Sequence, residues 1–92
     1  MIKTFNHKGL KQLFENGKSR GVSNDLHKRL IRQMDLLNAA TAPQDMNLPG
    51  YRLHELKGDR KGTWSVCVSG NWRLTFTFQG EDAKDVDLEN YH

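Results

Sequence analysis

The sequence predicts an α+β fold in which two helices pack on one face of a small, mostly antiparallel sheet, in the order β-α-α-β-β-β. Two patterns carry this prediction. Apolar residues recur at helical spacing in the first half of the chain, and they alternate with polar residues in the second half. Strands grouped after helices are typical of an α+β layer fold. The length of 92 residues suits a single domain, residues 1–92.

The N-terminal segment predicts a short strand followed by the first helix. Ile2 to Phe5 alternates apolar and polar residues, as strands do. Asn6 is a suitable N-cap for the helix, and Gly17 suits its C-terminal stop. The apolar face of this helix comprises Leu10, Leu13 and Phe14.

The second helix has the strongest periodic signal in the chain. Ser23 or Asn24 can cap it, and Asp25 suits the positive first turn. Its apolar stripe, which we expect to face the core, comprises Leu26, Leu30, Met34 and Leu37, widened by Ile31 and Ala40. Prolines then interrupt the helical pattern, so residues 41–50 are predicted to form a loop.

The remaining strands are predicted from alternating apolar and polar residues. Residues 64–68 and 72–78 form a hairpin around a Ser-Gly-Asn turn, and residues 83–88 form a weaker third strand. The apolar face of the hairpin must be covered by the helices. Arg73 has the opposite parity, so we expect its side chain on the open face of the sheet.

The charge of the chain is unevenly distributed. Residues 1–80 carry thirteen Lys or Arg against six Asp or Glu, whereas residues 81–92 carry a net charge of −4. A body this basic is typical of proteins with a polyanionic partner, most often nucleic acid, although solubility alone accounts for such charge equally well. The acidic segment either shields a basic surface or binds a basic partner.

Candidate site residues cluster in the segment 53–62, which leads into the hairpin. Its side chains His54, Lys57, Arg60 and Lys61 lie close together with two glycines, as in a loop that contacts phosphates. The spacing is not that of a Walker loop. Histidine is the common general acid or base near neutral pH, but it is also a common surface residue.

The last residues, Asn90-Tyr91-His92, are a second candidate group. By strict alternation Tyr91 has the parity of Ala83 and can share the open face with Arg73. His92 has the other parity and joins such a site only if the chain leaves the strand. The remaining histidines, His7 and His27, are assigned no role.

The single cysteine, Cys67, excludes an internal disulfide framework and a multi-cysteine zinc site. No metal site and no cofactor are predicted. No apolar stretch approaches the length of a membrane span, and the first eight residues lack the apolar core of an export signal. We therefore expect a reduced, cytoplasmic setting with no membrane partner.

Seven segments, spread over the whole chain in a specific order and spacing, together resemble a known family. They are Met1–Phe5, Leu13–Gly17, Leu36–Thr41, Leu53–Gly58, Trp64–Val68, Asn71–Leu74 and Tyr91–His92. The resemblance is to HigB, the toxin of bacterial HigBA toxin–antitoxin modules, within the RelE superfamily. It implies a RelE-like, microbial-ribonuclease-like fold. It also implies an endoribonuclease that cuts translated messenger RNA in the A site of the 70S ribosome.

The resemblance also implies a partner and a set of site residues. The partner is a HigA-like antitoxin with a helix-turn-helix, which neutralises the toxin and represses the operon. The residues that match the family's catalytic positions are His54, Lys57, Arg73, Tyr91 and His92. Asn90 stands where the family often has Asp, and an asparagine can orient a neighbour but cannot act as a base.

These residue types fit metal-independent RNA cleavage. Either His92 or His54 takes the 2′-hydroxyl proton while the other protonates the leaving oxygen, and Tyr91 orients or stacks. Lys57 and Arg73 balance the charge that develops at phosphorus. We expect ribosomal RNA contacts from Arg60 and Lys61 and from the helix-two residues Lys28, Arg29 and Arg32. The alternative is a non-catalytic basic module that blocks translation by occupying the ribosome.

Overall fold

A computed structural model describes residues 1–90 as two helices packed on an antiparallel sheet. Helix α1 spans Lys8–Asn16 and helix α2 spans His27–Ala39. The four strands are β1 (His54–Glu55), β2 (Trp64–Ser69), β3 (Trp72–Gln79) and β4 (Asp82–Asn90), in the sheet order β1-β2-β3-β4. None of the helices in this part of the chain is long and apolar enough to cross a membrane.

Short 3-10 turns and a short strand lie between the main elements. The turns Pro43–Met46 and Gly58–Arg60 occupy segments predicted as loops, whereas the turn Asn24–Leu26 forms the predicted start of the second helix. The prediction of a loop throughout 53–62 is wrong at β1, whose two residues pair with β2. Two residues are too few to show a period, which is why sequence alternation does not reveal this strand.

The predicted N-terminal strand is an extended segment held by isolated bridges. Ile2 and Phe5 form parallel bridges to Ala83 and Val86 of β4. This segment adds the parallel part of an otherwise antiparallel sheet, so the predicted first strand is reduced to two bridges, and the short strand β1 is an element beyond the predicted order.

The helix caps differ from those predicted. His7, not Asn6, caps α1: its Nδ1 accepts a hydrogen bond from the Leu10 amide at 3.1 Å. Gly17 ends the helix in the left-handed conformation at φ 79°, as predicted, and its amide donates to the Leu13 carbonyl. Ser23 makes no cap bond, because its hydroxyl binds the Asp25 carboxylate instead.

The core lies between α2, α1 and one face of the sheet. All four residues of the predicted α2 stripe and Ala40 are buried, whereas Ile31 is half-buried against them. From the sheet, the core receives the side chains that alternate inward, namely Val66, Val68, Leu74, Phe76, Ala83 and Val86.

Strand β4 contains a bulge that corrects the predicted alternation. Asp85 has a left-handed backbone at φ 54°, and the register with β3 shifts at this point. Its amide donates to Thr4 Oγ1 at 2.8 Å. The extra residue places both Ala83 and Val86 in the core, although they are an odd number of positions apart. The prediction that Ala83 shares a face with the later odd-numbered residues is therefore wrong.

Candidate active site

A cleft of about 610 Å³ lies on the sheet face opposite the helices. Its floor is formed by Ser65, Arg73 and Thr75, which alternate with inward-facing core residues. The predicted residues that line it are His54, Lys57, Arg60, Arg73 and Asn90. The open face of the sheet is thus where several of the predicted side chains meet.

Strand pairing brings these residues together from distant parts of the chain. His54 lies opposite Ser65 in the β1–β2 pair, and Ser65 lies opposite Thr75 in the β2–β3 pair. Arg73 lies opposite Glu89 in the β3–β4 pair. Four strands therefore contribute neighbouring side chains to one surface.

His54 is exposed at the edge of the cleft, and its ring makes only long polar contacts. Its Nδ1 lies 3.4 Å from Ser65 Oγ and 3.4 Å from the Arg52 carbonyl oxygen. Both distances are long for hydrogen bonds. Ser65 itself is buried. Loose contacts of this kind are common at general acids and bases before substrate binds, so this geometry suits a proton-transfer role.

Glu89 lines the cleft, although neither its residue type nor its place in an acidic segment singles it out in the sequence. Its Oε1 and Oε2 accept hydrogen bonds from Arg60 at 2.8 and 2.6 Å, and Oε2 also accepts from Thr75 Oγ1 at 2.6 Å. The Arg60 hydrogen bond, helped by that of Thr75, lowers the pKa of Glu89 although partial burial opposes the change. The same contact raises the pKa of Arg60.

Among the described residues that line the cleft, three are cationic and two are carboxylates. Both carboxylates are engaged, since Glu89 binds Arg60 and Glu55 Oε2 accepts the Gly62 amide at 2.9 Å. Lys57 is exposed and Arg73 is half-buried in the floor. Cationic side chains of this kind can bind a phosphate group.

A second cleft, of about 540 Å³, lies between α2, the segment 49–51 and β2. Three predicted RNA-contact residues line it, namely Lys28, Arg29 and Arg32. Arg29 Nη1 donates to the Val68 carbonyl at 2.7 Å, and the buried Gln33 Nε2 donates to the Cys67 carbonyl at 2.9 Å. The structure therefore places these basic residues in a site of their own.

The other predicted site residues are Lys61, Tyr91 and His92. Lys61 is exposed and is absent from the lining of both clefts. Tyr91 and His92 lie outside the described residues.

Residues 3–92 match the family of RelE-like toxins of the type II toxin–antitoxin system HigB. The chain belongs to the HigB-like toxin family. The predicted resemblance to HigB is thereby confirmed, and membership of a type II system implies a cognate antitoxin.

Two curated relatives and one solved structure are similar to this HigB-like chain. Endoribonuclease HigB of Proteus vulgaris is 46% identical over 92 residues, all of both chains. Toxin HigB-1 of Vibrio cholerae is 35% identical over 78 residues, which are 83% of this chain and 82% of that protein. The crystal structure of YafQ from E. coli strain BL21(DE3) has a TM-score of 0.63 at 18% identity, over 98% of this chain and 93% of YafQ. This likeness confirms the predicted α+β fold.

Proposed function

We propose that this HigB-like chain is a ribosome-dependent endoribonuclease that cuts translated messenger RNA in the ribosomal A site. The observation that supports the proposal most is the cleft in which His54, Lys57 and Arg73 lie together. A histidine beside two cations, on a surface large enough for a nucleotide, suits phosphodiester cleavage. The Proteus vulgaris relative, which matches over its full length, is named an endoribonuclease.

The proposed reaction is attack of the RNA 2′-oxygen on the adjacent phosphorus. A base takes the 2′-hydroxyl proton as the O2′–P bond forms, and an acid gives a proton to the 5′-oxygen as the P–O5′ bond breaks. We assign these two roles to His54 and His92, with the order between them open. Tyr91 orients a neighbour or stacks on a base.

Lys57 and Arg73 stabilise the negative charge that grows on the phosphate oxygens during this reaction. Arg73 presents a planar guanidinium from the floor of the cleft, whereas Lys57 supplies a point charge from its edge. One well-placed donor of this kind contributes about 10²–10³ in rate in other enzymes. The proposed reaction needs no metal ion or cofactor. Asn90, at the border of the cleft, orients neighbouring groups by hydrogen bonding.

The second cleft provides a separate contact with ribosomal RNA. Its cations Lys28, Arg29 and Arg32 bind backbone phosphates, helped by Lys61 from the loop beside the first cleft, whereas the predicted contact Arg60 is bound to Glu89. Phosphate contacts position a protein without reading sequence. The ribosome then supplies the message to the first cleft, in a cytoplasmic setting. A HigA-like helix-turn-helix antitoxin is the proposed neutralising partner.

Primer extension on translated messages after induction of the chain tests the proposed function. Discrete cuts at fixed positions within codons, dependent on translation, are the expected result. Growth arrest with intact messages would contradict cleavage and would favour the alternative, a basic module that inhibits translation by occupancy. If the chain acts by occupancy, the His54→Gln variant should still arrest growth. If it acts by cleavage, this variant should not arrest growth.

A further inference from the structure

We propose that Glu89 is a positioning residue of the first cleft, which holds Arg60 and the loop of residues 56–63 in place over the open face. The proposal rests on the proposed function, since it takes this cleft as the place where RNA is cut. It assigns Glu89 no contact with the substrate.

The geometry of the Arg60–Glu89 contact supports this role. We call this ion pair, which joins the loop of residues 56–63 to β4, the tether. The bidentate Arg60–Glu89 pair, at 2.8 and 2.6 Å, has the planar fork arrangement that fixes orientation as well as distance. The Glu89 carboxylate is itself anchored, because buried Thr75 donates to Oε2 from the neighbouring strand. Glu89 is thus the fixed partner, and Arg60 is the partner that it holds.

The sheet order shows how far this tether reaches. Arg60 belongs to the connection between β1 and β2, at one edge of the sheet. Glu89 belongs to β4, at the opposite edge. The connection therefore extends across the open face, and the ion pair joins it to the far edge of the sheet.

The loop of residues 56–63 is bonded internally, so that a tether at one point restrains all of it. The Leu56 amide donates to the Thr63 carbonyl at 2.8 Å, and the Thr63 amide donates to the Arg60 carbonyl at 2.9 Å. Lys57, one of the two cations proposed to face the phosphate, lies in the same loop. Holding Arg60 therefore also restricts where Lys57 lies.

The same contacts argue against Glu89 as a general base. Both carboxylate oxygens accept hydrogen bonds from donors, one of them a cation. Arg60 also lowers the pKa of Glu89. A base needs proton affinity near the working pH and an oxygen that reaches the substrate. Glu89 is better suited to holding a cation than to removing a proton.

Amide hydrogen exchange of the loop in the Glu89→Gln variant tests the tether without RNA. The variant keeps the side-chain shape but loses the charge that binds Arg60. We expect the Lys61 and Thr63 amides, which bond within the loop, to exchange roughly threefold to tenfold faster. Glu81→Gln, at an exposed turn, is the matched control and should leave them unchanged. Unchanged loop exchange in Glu89→Gln would overturn the proposal.

Cleavage kinetics in a translating system then test whether the tether serves the site. Glu89→Gln and Arg60→Ala should each lower kcat/KM by roughly threefold to tenfold, and the double variant should fall no further, because both remove one tether. Glu89→Asp, which keeps the charge, should recover part of the loss. Multiplied losses in the double variant would show that Glu89 does not act through Arg60, and would overturn the proposal.

These measurements separate the proposal from the function on which it rests. Absence of cleavage by the unaltered chain would contradict the proposed function whatever the loop does. Cleavage by the unaltered chain together with full activity in Glu89→Gln would contradict the positioning role alone.

Discussion

The two clefts differ in how their side chains are held. In the first cleft, polar side chains from strands and a loop bind one another, as Thr75, Glu89 and Arg60 do. In the second cleft, the cations lie on a single helix, and Arg29 is fixed to a backbone carbonyl of β2. Lys28 and Arg32 are exposed there.

This difference matches two different physical tasks. Bond breaking requires groups placed to within a fraction of an ångström, which a network of mutual contacts provides. Binding a polyanion requires only that positive charge be nearby, and flexible exposed cations are sufficient. We therefore expect substitutions in the first cleft to change the rate of cleavage, and substitutions in the second to change ribosome affinity and its dependence on salt.

The largest effect is expected from His54→Gln. Loss of a general acid or base should lower the rate of cleavage by about 10²–10⁴. The melting temperature should stay the same, because His54 is exposed and weakly bonded. His27→Gln is the control: His27 Nε2 bonds the Val22 carbonyl at 2.9 Å, so this variant should lose stability but keep activity. Full activity in His54→Gln would remove His54 from the mechanism.

A smaller loss is expected from Arg73→Lys. Lysine keeps the charge but not the planar fork, so we expect kcat to fall by about tenfold to a hundredfold. Single-turnover cleavage on programmed ribosomes measures this change. Lys18→Arg, at an exposed position outside both clefts, is a control that should not alter the rate. An unchanged kcat in Arg73→Lys would contradict bidentate phosphate contact.

Ribosome affinity, rather than rate, should change when the second cleft loses charge. Lys28→Ala combined with Arg32→Ala should weaken binding and reduce the slope of log affinity against log salt by about 1.5. The control removes Lys8 and Lys11 of α1, which line neither cleft. Sedimentation with ribosomes at several salt concentrations measures the slope. Equal slopes in both double variants would show that the second cleft has no special role.

The smallest expected effect is on the free energy of unfolding and its dependence on pH. The lowered pKa of Glu89 means that its ionised form stabilises the fold above its ordinary pKa of 4.5, and that this contribution is lost as the pH falls through the lower folded value. Since Arg60 is half exposed, the contribution is a few tenths to about 1 kcal/mol. Urea unfolding of the unaltered chain and Glu89→Gln should give free energies that converge in acid. A difference in unfolding free energy between the two proteins that stays constant with pH would contradict a stabilising role of the ionised Glu89.

The elements in which apolar residues recur several times at one spacing are the ones that the sequence predicts correctly. The stripe of α2 and the β2–β3 hairpin each contain several apolar residues at one spacing, so one irregular residue does not hide the period. Short or irregular features were missed for the opposite reason. Strand β1 has two residues, and the cap at His7 depends on a ring nitrogen that happens to face an amide.

The candidate site was predictable only in part. Residue type and the family resemblance both point to His54, Lys57 and Arg73, and the fold brings these three residues to one cleft. Glu89 was not selected because its importance comes from a contact with Arg60, 29 positions away in sequence. Alternation places Glu89 on the same face as Arg73. An acidic segment is, however, typical of a solvated surface, and only the structure shows that Glu89 binds Arg60.

The Asp85 bulge determines which side of β4 each later residue occupies. Since the side-chain period of a strand is two, deletion of Asp85 would remove the bulge and leave Val86, Leu88 and Glu89 on their present faces, whereas deletion of Asp87 would turn Leu88 outward and Glu89 toward the core. Strand length between the bulge and the cleft is therefore more tightly constrained than the identity of most residues in it. In a library of single-residue deletions and substitutions, losses should concentrate among the deletions in residues 86–88, and deletion of Asp85 should be tolerated better than these.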